Sequence, residues 1–272
     1  MPEQASSPVI ALCGKGGVGK TSISAAIVKI LLEAPGKKVL AIDADPAVGL
    51  ATALGLSVAK TVDDIRNELI ARIKSGEAQN KAEVLASLDY EMLAALEERE
   101  DLAFLAIGRP ENEGCYCQVN HILKDIIGSI AHNFDYIIID GEAGIEQVNR
   151  RVMETVTHLL LITDGSRKGL EVAKTILGVA EQTVYYRQAG IIVNRLYGDA
   201  EYEALSIPQP LRCLGWIPED PSIRGNDMAG NSLLEAADGS AVDAVRRCLA
   251  KMAIGLSRPQ PDRNSYGTIG AQ

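Results

Sequence analysis

The chain predicts an α/β fold: a doubly wound, mostly parallel sheet with helices on both faces. Three observations predict it. Short apolar runs alternate with stretches of helical periodicity along nearly the whole length. Several of those runs carry no polar alternation, as strands covered on both faces do. A glycine-rich segment, Gly14-Lys15-Gly16-Gly17-Val18-Gly19-Lys20-Thr21, follows the first run directly, where a strand would hand over to a helix.

The elements follow in order. Val9-Ile10-Ala11-Leu12-Cys13 is the first strand, and residues 20–33 form a helix stopped by Pro35-Gly36. Residues 38–43 are a second strand that ends in acid. Helical spacing covers 62–75 and 81–99, and 102–107 is the third strand. A polar loop at 109–114 leads to Cys115-Tyr116-Cys117, and 119–133 is again helical. Strands are expected at 136–140, 158–163, 189–194 and 214–218, with helices at 168–182 and 241–254. No linker, composition shift or repeat divides the chain, so residues 1–256 are expected to form a single domain. Residues 257–272, rich in Pro, Gly and polar side chains, are expected to be a disordered tail.

Composition bounds the function. Of 272 residues 47% are hydrophobic but only 4% aromatic, so the core must be built from Ile, Leu, Val and Ala. A formal charge of −9 argues against non-specific binding to nucleic acid or anionic membranes. The first residues, Met1-Pro2-Glu3-Gln4, lack the features of a secretory signal, and no apolar run is long enough to span a bilayer. The expectation is a soluble, cytoplasmic protein with no nucleic-acid and no membrane partner. The five cysteines are an odd number for a disulfide framework. Cys13, Cys213 and Cys248 lie in apolar or amphipathic runs and read as small buried hydrophobes.

The glycine-rich segment fits the phosphate-binding loop in full. Its glycines let backbone N–H groups curl around phosphates, and the following helix adds the positive end of its dipole. Residues 14–22 (Gly14, Lys15, Gly16, Gly17, Val18, Gly19, Lys20, Thr21 and Ser22) are the candidate cradle for ATP or ADP. Lys20 is placed to reach the β- and γ-phosphates, and the Thr21 hydroxyl to ligate Mg²⁺. Asp43 and Asp45, in Asp43-Ala44-Asp45-Pro46, fall at the carboxyl end of a strand, where ligands bind in such sheets. Either carboxylate serves the Mg²⁺ shell or the attacking water, or else caps a helix. Asp140 ends the most apolar strand and reads as the second acidic anchor of the site. Gly141-Glu142-Ala143-Gly144 follows, and a glycine such as Gly144 can offer its N–H to a γ-phosphate.

Cys115 and Cys117 stand in a Gly- and Glu-containing loop. A Cys-x-Cys pair is compatible with a strained disulfide, a redox pair or chance. It is also half of a tetrahedral thiolate site for Zn²⁺ or Ni²⁺, which a second copy of the chain related by two-fold symmetry completes. His121 lies one helical turn further on, as a further ligand or as a plain surface histidine.

The Lys-Gly-Gly-x-Gly-Lys-Thr form, with its second lysine Lys15, resembles the deviant Walker A motif of the dimeric SIMIBI-class P-loop ATPases. Among these are the nitrogenase iron protein, MinD and ParA. The resemblance implies that Lys15 reaches across a homodimer to stabilise transition-state charge in the partner, the alternative being a solvated side chain. It also implies that Asp45 activates water, that Asn194 reads adenine, and that Ile217-Pro218-Glu219 flanks the base. Gly114-Cys115-Tyr116-Cys117-x-x-Asn120, together with Asp140-x-Glu142-Ala143-Gly144-Ile145-Glu146, is more specific. It resembles the CooC-type ATPases that assist nickel insertion into carbon monoxide dehydrogenase. Gln147 departs from a histidine usual in that family, and His121 from a small residue, so acetyl-CoA synthase stays open as the client. A MinD- or ParA-like positioning ATPase is the other alternative.

Overall fold

The computed structural model describes residues 7–75, 81–108, 117–141, 152, 156–252 and 254. Its centre is an eight-stranded sheet in the order β3-β4-β2-β5-β1-β6-β7-β8. The strands are β1 (Val9–Cys13), β2 (Val39–Asp43), β3 (Glu97–Arg99), β4 (Leu102–Ala106), β5 (Tyr136–Asp140), β6 (His158–Thr163), β7 (Gln188–Leu196) and β8 (Cys213–Pro218). All neighbours pair in parallel except β3 with β4. The expected doubly wound, mostly parallel sheet is therefore what the chain forms.

β1 lies between β5 and β6, so the chain winds outward from it in both directions. In such sheets the crevice beyond the carboxyl ends, at the point of reversal, is the ligand site. Every residue of β1, β2, β4, β5 and β6 is buried, which explains runs with no polar alternation. Alternate side chains still part to opposite faces. Ala11 and Cys13 face one core and Ile10 and Leu12 the other.

The first core is roofed by α3 (Val62–Ser75), α4 (Lys81–Ala94), α5 (Cys117–Ala131) and α6 (Arg167–Thr183). The second is covered by α1 (Lys20–Leu32), α2 (Gly49–Leu54) and α9 (Ser240–Ala250). Two shorter helices, α7 (Asp199–Glu203) and α8 (Pro221–Ala229), flank β8 in sequence. The low aromatic content leaves Phe104, on β4, as the largest fully buried side chain described.

The sequence expectation errs at 81–99. The helix stops at Ala94, and Glu97–Arg99 forms the antiparallel edge strand instead. Five consecutive charges, Glu97 to Asp101, have no apolar face with which to continue a helix on the core. They suit an edge strand and a tight turn, where Glu100 takes a left-handed φ of 52°. The last helix ends at Ala250 rather than at 254. The helix α8 was not expected, although Asp220 caps it by accepting from the Ser222 N–H and Pro221 opens it.

Replacing Phe104 with Ala removes the largest described core side chain. Large-to-small changes of this kind cost about 3–5 kcal/mol, which for a domain of this size lowers Tm by roughly 6–20 °C. Thermal unfolding followed by circular dichroism checks this, and a change within a degree or two would contradict the packing described.

Candidate functional site

The glycine loop leaves β1 at Cys13 and enters α1 at Lys20. Gly14 crosses directly over β6, and a Cβ there would overlap the Ile162 carbonyl oxygen. Gly17 and Gly19 hold φ of 79° and 91°, which only glycine adopts without strain. Cys13 is wholly buried beneath the loop, and burial pushes its thiol up to about 12. It is the inert hydrophobe the sequence suggested, as is Cys248, whose thiol burial pushes up to about 11. Half-buried Cys213 faces the Tyr202 hydroxyl at 3.4 Å.

Lys20 is 8% exposed and turns its ammonium inward, where Nζ donates to the Lys15 carbonyl at 3.4 Å. The loop is thus closed around its own lysine in a shape that surrounds an anion. Lys15 itself is half-buried.

Asp43 and Asp140 end neighbouring strands at the same register position. Burial, then the neighbouring Asp140 charge, pushes Asp43 up to about 7. Burial also pushes Asp140 up to about 6, although the Thr21 and Ser24 hydroxyls and Lys20 pull it back. The Ser24 hydroxyl donates to Asp140 Oδ1 at 3.0 Å. Among the described residues, Asp140 Oδ2 is the one buried side-chain oxygen or nitrogen without a partner. An orphaned oxygen on a buried, charge-crowded carboxylate is what a bound cation relieves. Its neighbours offer hard oxygen donors, as Mg²⁺ requires, so this pocket fits that ion.

Asp43 already has a backbone partner on each oxygen: Oδ1 accepts from the Asp45 N–H at 3.0 Å and Oδ2 from the Leu50 N–H at 2.8 Å. The second bond ties it to the start of α2. Asp45 is half-buried, with Oδ1 accepting from the Ala47 N–H at 2.9 Å. The turn then runs through Val48 in a left-handed conformation, φ 51°, where a β-branched residue is strained.

Asn194, Ile217, Pro218 and Glu219 are brought together with Gly19 and Ser22 around one cleft. The residues that the resemblance assigns to the base therefore line one cleft. The Asn194 amide donates to the Val18 carbonyl at 2.8 Å, so the residue also braces the loop. Sequence reasoning missed Arg195 and Arg224, which line the same cleft; Asp220, which ends the segment resembling the base-flanking loop, lines it too. Asp220 carried a legible cap signal; Arg195 carried none.

Gly144, with the rest of 142–151, lies outside the described residues, as does Cys115. Cys117 opens α5 by its backbone. His121, on the exposed face of that helix, sits 3.7 Å from the Asp125 carboxylate. Among the described residues no three His, Cys, Asp or Glu side chains gather as a metal site.

Comparison with known proteins gives the chain its family. Residues 9–233 match the CobQ/CobB/MinD/ParA nucleotide-binding domain, and the chain belongs to that family of nucleotide-binding ATPases. An uncharacterized ATP-binding protein of Methanocaldococcus jannaschii is 35% identical over 86% of this chain and 93% of its own. The carbon monoxide dehydrogenase accessory protein CooC of Rhodospirillum rubrum is 29% identical over 82% of this chain and 88% of its own. The septum site-determining protein MinD of Pyrococcus horikoshii, solved with Mg-ADP, shares the fold at a TM-score of 0.62. Its identity is 21%, covering 91% of this chain and 96% of that one.

The raised carboxylates set a pH dependence. A carboxyl whose folded pKa exceeds its unfolded value contributes stability at low pH and loses it as pH rises through the folded pKa. The nucleotide-free protein should therefore lose stability as pH rises through about 6 and about 7. Asp140→Asn, which keeps the Ser24 bond but never ionises, should be more stable than the parent at pH 8 by about 1–3 kcal/mol. It should also lose Mg²⁺-dependent ADP binding. Melting curves from pH 5 to 8 check the first point and calorimetry the second; parallel pH curves for the two proteins would contradict it.

Proposed function

We propose that this ATPase is a maturation factor for a nickel enzyme, with carbon monoxide dehydrogenase as the favoured client and acetyl-CoA synthase as the alternative. The observation that carries the proposal is the Cys115-Tyr116-Cys117 motif in the sequence, whose last residue begins α5. The similarity to the carbon monoxide dehydrogenase accessory protein CooC supports it. In this reading the metal, Ni²⁺ or Zn²⁺, is cargo held by thiolates from two copies of the chain, which supply the four ligands one copy lacks.

The nucleotide end works with the residues described. Backbone amides of 14–19 and the ammonium of Lys20 take the phosphates, and Thr21 with Asp140 holds Mg²⁺. When bound, the ion neutralises phosphate charge and offsets the buried carboxylates. Asp45, at the carboxyl edge, orients the attacking water. Lys15 acts on the partner's phosphates, so hydrolysis proceeds in the dimer. Gly144 reports the γ-phosphate to the residues that follow.

Backbone hydrogen bonds lead from this end as far as Ile107, eight residues before Cys115 in sequence. The Asp43 carbonyl accepts from the Ile107 N–H at 2.8 Å, and the Ile107 carbonyl from the Asp63 N–H at 2.9 Å. The chain that goes on to the cysteine motif therefore departs from a point bonded to the backbone of a nucleotide-site carboxylate. Phosphate loss that shifts Asp43 would be felt at its start.

A positioning ATPase like MinD uses the same nucleotide fold and is the competing reading. Among the described residues no helix is long and apolar enough to cross a membrane. That reading predicts ATP-dependent sedimentation with anionic lipid vesicles and no metal in the dimer.

Cys115→Ser and Cys117→Ser should each abolish metal binding while leaving ATP affinity intact. Elemental analysis of anaerobic size-exclusion peaks, with and without ATP and Ni²⁺, should give one Ni or Zn per two chains in the parent and neither in the variants. Unchanged metal content in either variant sinks the proposal. Lys15→Gln should bind ADP normally but hydrolyse ATP at least about 10²-fold more slowly, as loss of a group contacting transition-state charge does. Steady-state phosphate release measures this, and parental turnover would remove Lys15 from the mechanism.

A further inference from the structure

The end of β7 holds a device whose purpose lies in the phosphate loop. β7 pairs Asn194 with Ile217 and Leu196 with Pro218 of β8, which leaves Arg195 as the extra residue of a bulge. Bulges re-aim side chains and concentrate next to ligand sites. Arg195 is also left-handed, with φ 64°, a strained conformation uncommon outside glycine.

The distortion turns the guanidinium toward the glycine loop. Nη1 donates to the Gly17 carbonyl at 3.0 Å. Nε lies 3.8 Å from the Glu219 carboxylate, which belongs to the loop flanking the base cleft. The preceding residue, Asn194, holds the next carbonyl, that of Val18. Two consecutive residues of β7 thus take two consecutive carbonyls of the loop.

Peptide geometry gives this pairing a consequence. In a trans peptide the carbonyl points opposite to the N–H of the following residue. Drawing the Gly17 carbonyl toward Arg195 turns the Val18 N–H the other way. Drawing the Val18 carbonyl toward Asn194 does the same for the Gly19 N–H. Backbone N–H groups of this loop are what grips phosphate. Gly17 is exposed, and nothing lies within 4 Å of where its Cβ would stand. On the Gly17 side nothing packs against that peptide, although the Val18 side chain is buried.

We infer that Arg195 is a positioning residue of the phosphate loop: it fixes the Gly17–Val18 peptide so that the Val18 N–H faces the phosphates, with Glu219 orienting its guanidinium. The inference depends on the nucleotide site alone and stands whether or not the chain handles nickel. Arg195 acts on the phosphate chain and not on the base.

The test uses the full chain with Arg195→Ala and Arg195→Lys, titrated calorimetrically with Mg-tripolyphosphate, which has no base or sugar, and with Mg-ATP. Arg195→Ala should weaken both ligands by one common factor, about three- to tenfold, the worth of one partly exposed charge-assisted hydrogen bond. The factor should persist at about 0.5 M salt, where the pull of a bare surface charge is screened. Arg195→Lys should recover most of it, and the ligand-free Tm should stay that of the parent. A loss confined to ATP would make Arg195 a base contact and overturn the inference. So would a loss that vanishes at high salt, or one that accompanies a lowered Tm and is not recovered by Lys.

Discussion

Two carboxylates buried side by side at the end of an apolar sheet are the constraint on which the rest of this structure depends. Asp43 and Asp140 are register neighbours, 0% and 1% exposed. Like charges in such a place cannot both stay ionised without compensation. The chain surrounds them with what compensation it has: backbone N–H groups from Asp45 and Leu50 on Asp43, and Ser24, Thr21 and Lys20 about Asp140. One oxygen is still left over. Carboxylates at this depth are the kind of arrangement that a bound cation relieves. The tight glycine loop, the inward lysine and the short α2 all serve this one electrostatic arrangement.

The sequence disclosed the parts of this arrangement that are local. A glycine loop between a strand and a helix is a contiguous pattern, and so is an apolar run closed by an aspartate. The all-buried strands were legible because burial on both faces removes alternation. The edge strand Glu97–Arg99 was not, because its identity comes from pairing with β4 and not from its own composition. A run of charges beside a helix reads as more helix until the partner strand is known. The second function of Asp43 was stated in advance only as a bare helix cap. That it is tied to the start of α2 through Leu50, seven residues on, depends on how the chain turns at Val48.

The same distinction separates Asn194 from Arg195. Asn194 stands in a recognisable place after an apolar strand, so its involvement with nucleotide was expected. Its bond to the Val18 carbonyl was not, because it spans most of the chain's length. Arg195 looks like any charged residue at a strand end. Only the register shift against β8 makes it a bulge, and only the bulge gives it a direction. Bulges are properties of a pair of strands, and a single sequence holds half of the information. A charged residue next to Asn194 deserved suspicion, but no local pattern converts suspicion into a role.

What links the two ends of the molecule is the continuation of the sheet's hydrogen bonding beyond its strands. Past the last paired residues, Gly141 N–H donates to the Leu12 carbonyl, Ala44 N–H to Asp140, and Ile107 N–H to Asp43, at 2.9, 2.9 and 2.8 Å. Each bond ties the residues that leave one strand to the end of its neighbour. Three successive exits, toward 142–151, toward Asp45, and toward the cysteine motif, are thereby bonded in series across the carboxyl edge. Adjacency of this kind is not itself coupling, which requires an element with two arrangements that both sites bias. The candidate for that element is the turn from Asp43 to Leu50. It contains the strained Val48 and the carboxylate of Asp45, and its start is bonded to both flanking exits. Strain held at one φ is released by a small local rotation, whereas the packed strands on either side cannot deform gradually. A change of charge beside Asp43 therefore has one soft place to act, and that place is one hydrogen bond from the chain that carries Cys115 and Cys117.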